Sequence, residues 1–153
     1  MEEGRAVNEQ TALLHEELTG VLRQTAFETH RYFGPGFLEK VYENALVNRL
    51  RKKGLEVKPQ QGLCVRDEDG AVVGNYDADL LVNDQVVVEV KAVKALAGEH
   101  VAQLLNYLKA SRTRLGILVN FGAPKLEFRR FVHGYEPSVS SACSVDRRIE
   151  PGP

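Results

Sequence analysis

Apolar residues in the first third of the chain recur at helical spacing. From Leu14 to Phe33 they fall at Leu18, Val21, Leu22 and Ala26, with ring residues near the end, which predicts a first helix. Gly34-Pro35-Gly36 breaks it. A second helical pattern follows from Phe37 to Lys53, with Leu38, Val41, Ala45, Leu46 and Leu50 as its buried stripe and Gly54 at its C-terminal stop.

The period then changes from 3.6 to 2. Residues 55–58, 62–66, 71–82 and 85–92 read as strands, with Asp69-Gly70 as a hairpin turn between the second and third. Helical spacing returns from Glu99 to Ser111 through Val101, Leu104, Leu105 and Leu108. Two last strands, 115–120 and 125–132, are separated by Gly122-Ala123-Pro124. Helices, a meander of strands, one helix and strands again predict an α/β (α+β) fold, a mixed central sheet flanked by helices.

Both ends lack periodicity. Residues 1–10 are polar and residues 134–153 are rich in Gly, Pro, Ser and charge, so flexible termini are expected around a domain spanning 11–133. At 153 residues, 43% hydrophobic and 27% charged, the chain has the size and composition of one globular domain. No apolar run approaches the roughly 20 residues of a membrane span, and the start is not a basic-then-apolar secretory leader. The expectation is a cytoplasmic protein with no membrane partner. A formal net charge of -1 argues against a broad cationic coat for nucleic acid. A local basic groove stays open, because Arg49, Arg51, Lys52 and Lys53 cluster on the second helix and Arg129 with Arg130 on the last strand.

The chemistry concentrates in the hairpin around Asn83. Alternation puts Val86, Val88 and Val90 on one face of their strand and Val87, Glu89 and Lys91 on the other. On the preceding strand Tyr76, Ala78, Leu80 and Val82 share one face, and Asp77, Asp79 and Leu81 the other. A two-residue turn at Asn83-Asp84 would pair Val82 with Gln85 and bury charge. A three-residue loop, Asn83-Asp84-Gln85, pairs Val82 with Val86 and sets Asp79 across from Glu89, with Asp77 across from Lys91. The longer loop is expected, since it keeps the valines together.

In that register the two carboxylates face each other with β-carbons about 5 Å apart. Such a pair is tolerable if it shares a proton or a cation, and its hard oxygens suit Mg²⁺ or Mn²⁺. Lys91 beside them can hold an attacking water and offset charge developing on a phosphate. By itself, however, an Asp followed by Glu-x-Lys more often marks a solvated hairpin face.

Further blocks bear on that choice. Gly36-x-x-Glu39-x-x-Tyr42 resembles the signature of the GxxExxY family. Similar blocks follow in order as Asp79-Leu80-Leu81-Val82, Glu89-Val90-Lys91-Ala92, Gln103-Leu104-Leu105-Asn106-Tyr107-Leu108 and Gly116-Ile117-Leu118-Val119-Asn120-Phe121-Gly122. That family is placed in the PD-(D/E)XK nuclease superfamily, which implies a restriction-endonuclease-like fold and Mg²⁺-dependent cleavage of nucleic acid, DNA in the usual case. The resemblance implies that Asp79 and Glu89 are metal ligands and catalytic together with Lys91. It further implies that Glu39 is an extra catalytic acid at the metal, and that Gln103 and Tyr107 correspond to a Gln-x-x-x-Tyr motif in which Gln103 is catalytic, tuning the water with Glu39, and Tyr107 binds substrate. Tyr42 is expected to pack and to orient Glu39 at the substrate side, and pairing of two copies as a homodimer is an expectation for cutting both strands. Ala78 stands where the superfamily name has Pro.

Overall fold

A computed structural model of the chain describes residues 2–111 and 113–133, with side chains from His15 onward. The expected C-terminal tail, 134–153, lies outside the described residues. The elements run α1 Glu2–Phe33, α2 Glu39–Lys52, β1 Val57–Arg66, β2 Val72–Val82, β3 Val86–Lys91, α3 Gly98–Ser111, β4 Leu115–Asn120 and β5 Glu127–Val132. α1 therefore begins at Glu2, well ahead of the periodic stretch that starts at Leu14. The backbone of residues 2–13 is helical although the sequence there carries no apolar stripe.

The five strands form one sheet in the order β1-β2-β3-β4-β5. β3 and β4 are parallel and every other neighbouring pair is antiparallel. A parallel pair needs a crossover, and α3 supplies it. The sheet is thus mixed, with helices on both faces. On one face Leu18, Leu22 and Ala26 of α1 and Tyr42, Leu46 and Leu50 of α2 pack against Leu80, Val82, Val86, Val88, Val90, Ile117 and Val119. On the other, Leu104, Tyr107 and Leu108 of α3 pack against Leu63, Ala78, Val87 and Leu118. All six residues of β4 are buried, as expected of a central strand covered on both sides.

The turn between α1 and α2 depends on glycine. Gly34 and Gly36 adopt φ of +66° and +116°, the region that side chains with a β-carbon rarely occupy. The Tyr42 hydroxyl closes this turn, donating to the Gly34 carbonyl and accepting the Phe37 amide at 3.2 Å. Its ring is fully buried and stacks on Phe121, with centroids 4.6 Å apart and planes 4° from parallel.

Two features of the hairpins depart from simple alternation. The stretches expected as separate strands at 55–58 and 62–66 form one strand, β1, because the backbone passes Pro59 without losing its partner. Gln60 takes a positive φ of 51°, and the β1–β2 ladder skips the Gln60–Asp79 pair. There the strands turn a corner. Before it Val57 and Val82 face α1 and α2, whereas beyond it Leu63 and Ala78 join the α3 side. Ala78 was expected to share a face with Leu80 and Val82, and this corner moves it to the opposite core.

Candidate metal and catalytic site

The β2–β3 connection is the three-residue loop. Val82 pairs with Val86, Leu81 with Val87 and Leu80 with Val88. Asn83 and Asp84 accept positive φ of 52° and 53°, which Asn and Asp tolerate better than most residues. Extended by one pair, this register sets Asp79 opposite Glu89. The recorded ladder stops before that pair, and the Val90 amide instead donates to Asp79 Oδ2 at 2.7 Å. The strands part just where the acids stand, and a side chain replaces a main-chain partner.

Glu89 is 7% exposed, and Asp79 is near enough for its charge to act on it. Burial, followed by repulsion from Asp79, pushes its carboxyl far above the ordinary range, with Lys91 opposing the shift. A second acid joins from α2. Glu43 is buried, and its carboxyl is also raised, by burial first and then by hydrogen bonding and repulsion from Asp79. The Gln60 amide donates to Glu43 Oε1 at 3.1 Å, and Lys40 Nζ lies 3.3 Å from Oε2. Asp79 is therefore the middle of a row, Glu43–Asp79–Glu89. Among the described residues no group of three or more His, Cys, Asp or Glu side chains is set around a common centre to hold an ion.

Glu39 stands one turn before Glu43 on α2 and is half-buried. Burial raises its carboxyl, Lys91 pulls it down, Glu43 adds to the rise and His100 lowers it. Tyr107 is buried, and its hydroxyl donates to the Gln61 carbonyl at 3.1 Å. Burial and the charge of Glu89 push that hydroxyl up, so Tyr107 lies close to the acids. Gln103 is exposed on α3, and no distance ties it to the pair. Tyr42 is elsewhere, holding the glycine turn rather than orienting Glu39. The structure thus gathers Asp79, Glu89, Lys91, Glu39 and Tyr107 in one neighbourhood, while Gln103 is exposed on α3 with nothing joining it to them and Tyr42 serves the turn between α1 and α2.

A model of the PD-(D/E)XK nuclease superfamily matches residues 16–131, covering α1 from its second half to the end of β5. The chain belongs to that superfamily. No curated protein and no solved structure matches it. The mixed sheet with helices on both faces is the restriction-endonuclease-like arrangement that membership implies.

For a member of this superfamily, what holds the lysine strand in place matters as much as the acids. Asn120, at the end of β4, is fully buried and clamps the segment after β3. Its Oδ1 accepts the Val93 amide at 2.9 Å and the Gly122 amide at 3.0 Å, and its Nδ2 donates to the Val93 carbonyl at 2.9 Å. Phe121 donates its amide to the Lys91 carbonyl at 2.9 Å, and Glu127 Oε2 accepts the Leu96 amide at 3.2 Å. Glu43, Gln60, Asn120 and Glu127 were not singled out from sequence. A signal existed for two of them: Glu43 repeats Glu39 one turn later, and Asn120 is the one side chain able to hydrogen-bond in Leu115–Asn120.

Proposed function

We propose that this protein is a metal-dependent phosphodiesterase, a deoxyribonuclease that hydrolyses nucleic-acid phosphodiester bonds with Mg²⁺ or Mn²⁺. The observation that carries the reading is the Glu89 carboxyl, raised by burial and by the neighbouring charge of Asp79 on strands whose register turns the two acids toward each other, with Lys91 two residues on, in a chain whose superfamily is one of nucleases. The donor set fits the ion. Two neighbouring hard carboxylates that repel each other can take a divalent cation between them, and Mg²⁺ completes its shell with water rather than with many protein ligands. Asp79 and Glu89 would hold it, with Glu43 in line behind Asp79. The ion supplies Lewis-acid charge that acidifies water and offsets charge on the phosphate.

The remaining work falls to side chains. Val90 fixes one Asp79 oxygen through its amide, so the carboxylate is pre-oriented before any ion arrives. Lys91 donates to the attacking water and to a phosphate oxygen, with Glu39 steadying its ammonium. Gln103, exposed on α3, reaches a phosphate oxygen of the substrate, and Tyr107 contacts the strand near Glu89.

Purified protein is expected to nick plasmid DNA in Mg²⁺ or Mn²⁺. Asp79→Asn and Lys91→Ala should each lower cleavage by at least about a hundredfold. Asp79→Asn should also abolish the Mg²⁺ heat signal in calorimetry. Cleavage that survives both substitutions sinks the assignment. Glu43→Ala separates the row from the pair: a residue that only orients Asp79 should weaken metal affinity about ten- to a hundredfold rather than abolish it.

The lack of a three-membered ligand cluster among the described residues favours a second reading, a nuclease-like module that binds nucleic acid or a protein without turnover. Nucleic-acid binding without cleavage under any divalent ion would select it. Cutting both strands of a duplex would call for a homodimer, for which a sedimentation measurement across concentrations is the direct test.

A further inference from the structure

Beyond the corner at Gln60, the far half of the β1–β2 hairpin leaves β3 and leans over α3. Between them lies a cavity of about 330 Å³, lined in part by Val65 and Arg66 of β1, Tyr76 of β2, and Asn106 and Lys109 of α3. That volume is at the small end of ligand sites, which run from about 300 to 1,000 Å³. Its chemistry is mixed. Lys109 is exposed and cationic, the Arg66 guanidinium is held by the Gly70 carbonyl at 3.0 Å, and Tyr76 leaves 39% of its surface open. Acids stand nearby in the hairpin turn, where Asp67 and Asp69 each accept a turn amide through one carboxylate oxygen, Glu68 at 2.8 Å and Ala71 at 2.9 Å.

The cavity adjoins the acid pair through one residue. Tyr76 meets Tyr107 edge-on, with ring centroids 6.5 Å apart, and Tyr107 in turn feels the charge of Glu89. On α3, Gln103, Asn106 and Ala110 follow one flank at helical spacing, and Asn106 and Ala110 line the cavity.

We propose that this cavity is a subsite for one unstacked nucleotide of a single-stranded nucleic acid, next to the position where the bond is cut. The base stacks on Tyr76, Asn106 hydrogen-bonds its edge, and Lys109 takes the neighbouring phosphate. Exposed aromatic rings with flanking cations are the usual means of holding single strands, because every base has a face to stack. A duplex is disfavoured, since paired and stacked bases offer Tyr76 no free face and Asn106 no free edge. The subsite's place in a reaction rests on the nuclease reading, but its binding does not.

The test is fluorescence anisotropy with labelled dT and rU oligonucleotides, in EDTA so that nothing is cut. Wild-type protein should bind single strands more tightly than the same sequence in a duplex. Tyr76→Ala should weaken binding about tenfold and Tyr76→Phe should leave it unchanged. Lys109→Ala should flatten the salt dependence by about 0.7 in the slope of log affinity against log salt. Oligonucleotides carrying iodouracil should photocrosslink to wild-type protein within the peptide containing Tyr76, which needs no variant to fold. Equal binding by wild type and Tyr76→Ala, no binding by wild type, or crosslinks confined to other peptides overturns the subsite. Tyr76-dependent binding with no cleavage in Mg²⁺ upholds it while removing the nuclease reading, and a preference between dT and rU says which strand it serves.

Discussion

Glu89→Gln is expected to make the metal-free protein more stable and catalytically dead at once. In the folded chain Glu89 is buried against Asp79, so its carboxyl is raised above the value it has in the unfolded chain. The sign follows from linkage. A carboxyl raised on folding costs nothing while both states are protonated, and the cost of ionising it grows as pH climbs from the ordinary carboxylate value towards the raised one. Glutamine has no such cost and keeps a donor for Asp79. Near pH 4 the two proteins should therefore melt together, and the variant should gain steadily towards pH 8. At neutral pH the gain should be on the order of 2 kcal/mol, or roughly 6 °C in a chain of this size. Adding Mg²⁺ should raise the wild-type melting temperature and leave that of Glu89→Gln unmoved, reversing the ranking if the ion binds tightly enough. A pH-independent difference, or a Mg²⁺ shift retained by the variant, would contradict the account. Such exchange of stability for function is usual where like charges are gathered for catalysis.

The second large effect concerns the clamp behind Lys91. A β-carbon on Gly122 would stand 2.4 Å from the Val93 carbonyl oxygen and 2.5 Å from two further main-chain atoms, none of which can swing aside as a side chain would. Gly122→Ala must push the segment after β3 away from the end of β4. Asn120→Ala attacks the same junction from within, orphaning two amides and a carbonyl that Asn120 now serves. At about 1 kcal/mol for each lost bond, Asn120→Ala should cost about 3 kcal/mol and lower the melting temperature by about 10 °C, and Gly122→Ala at least as much. Gly98→Ala is the control, since nothing lies within 4 Å of a β-carbon there, and it should melt like wild type. Because the clamp and the Phe121 amide together fix the main chain at Lys91, both damaging variants should also lose metal-dependent cleavage at temperatures where they remain folded. Full activity in a folded Asn120→Ala protein would separate the clamp from the site.

Much of the site was legible because a strand has a period of two. The valines at 82, 86, 88 and 90 can share a core only if the connecting loop has three residues, and that count alone brings Asp79 to Glu89. The corner at Gln60 was not legible. Pro59 reads as an interruption, yet the strand continues, and the positive φ that follows is paid back by contacts between the hairpin and α3 that local sequence does not announce. The acid next to Asp79 was also hidden. Glu39 stands in the motif that the sequence singles out, but the pitch and placement of α2 bring Glu43, one turn later, under the influence of Asp79.

By itself the sequence determined the order and kind of most elements and the three-residue loop that sets the β2–β3 register, since each follows from periodicity or loop length within a short stretch. Only the tertiary structure decided which helix acid stands behind Asp79, where the long hairpin bends, and how Asn120 ties the end of β4 to Val93, 27 residues earlier. Those are contacts between segments far apart in the chain, and they depend on how whole elements pack rather than on the preferences of neighbouring residues.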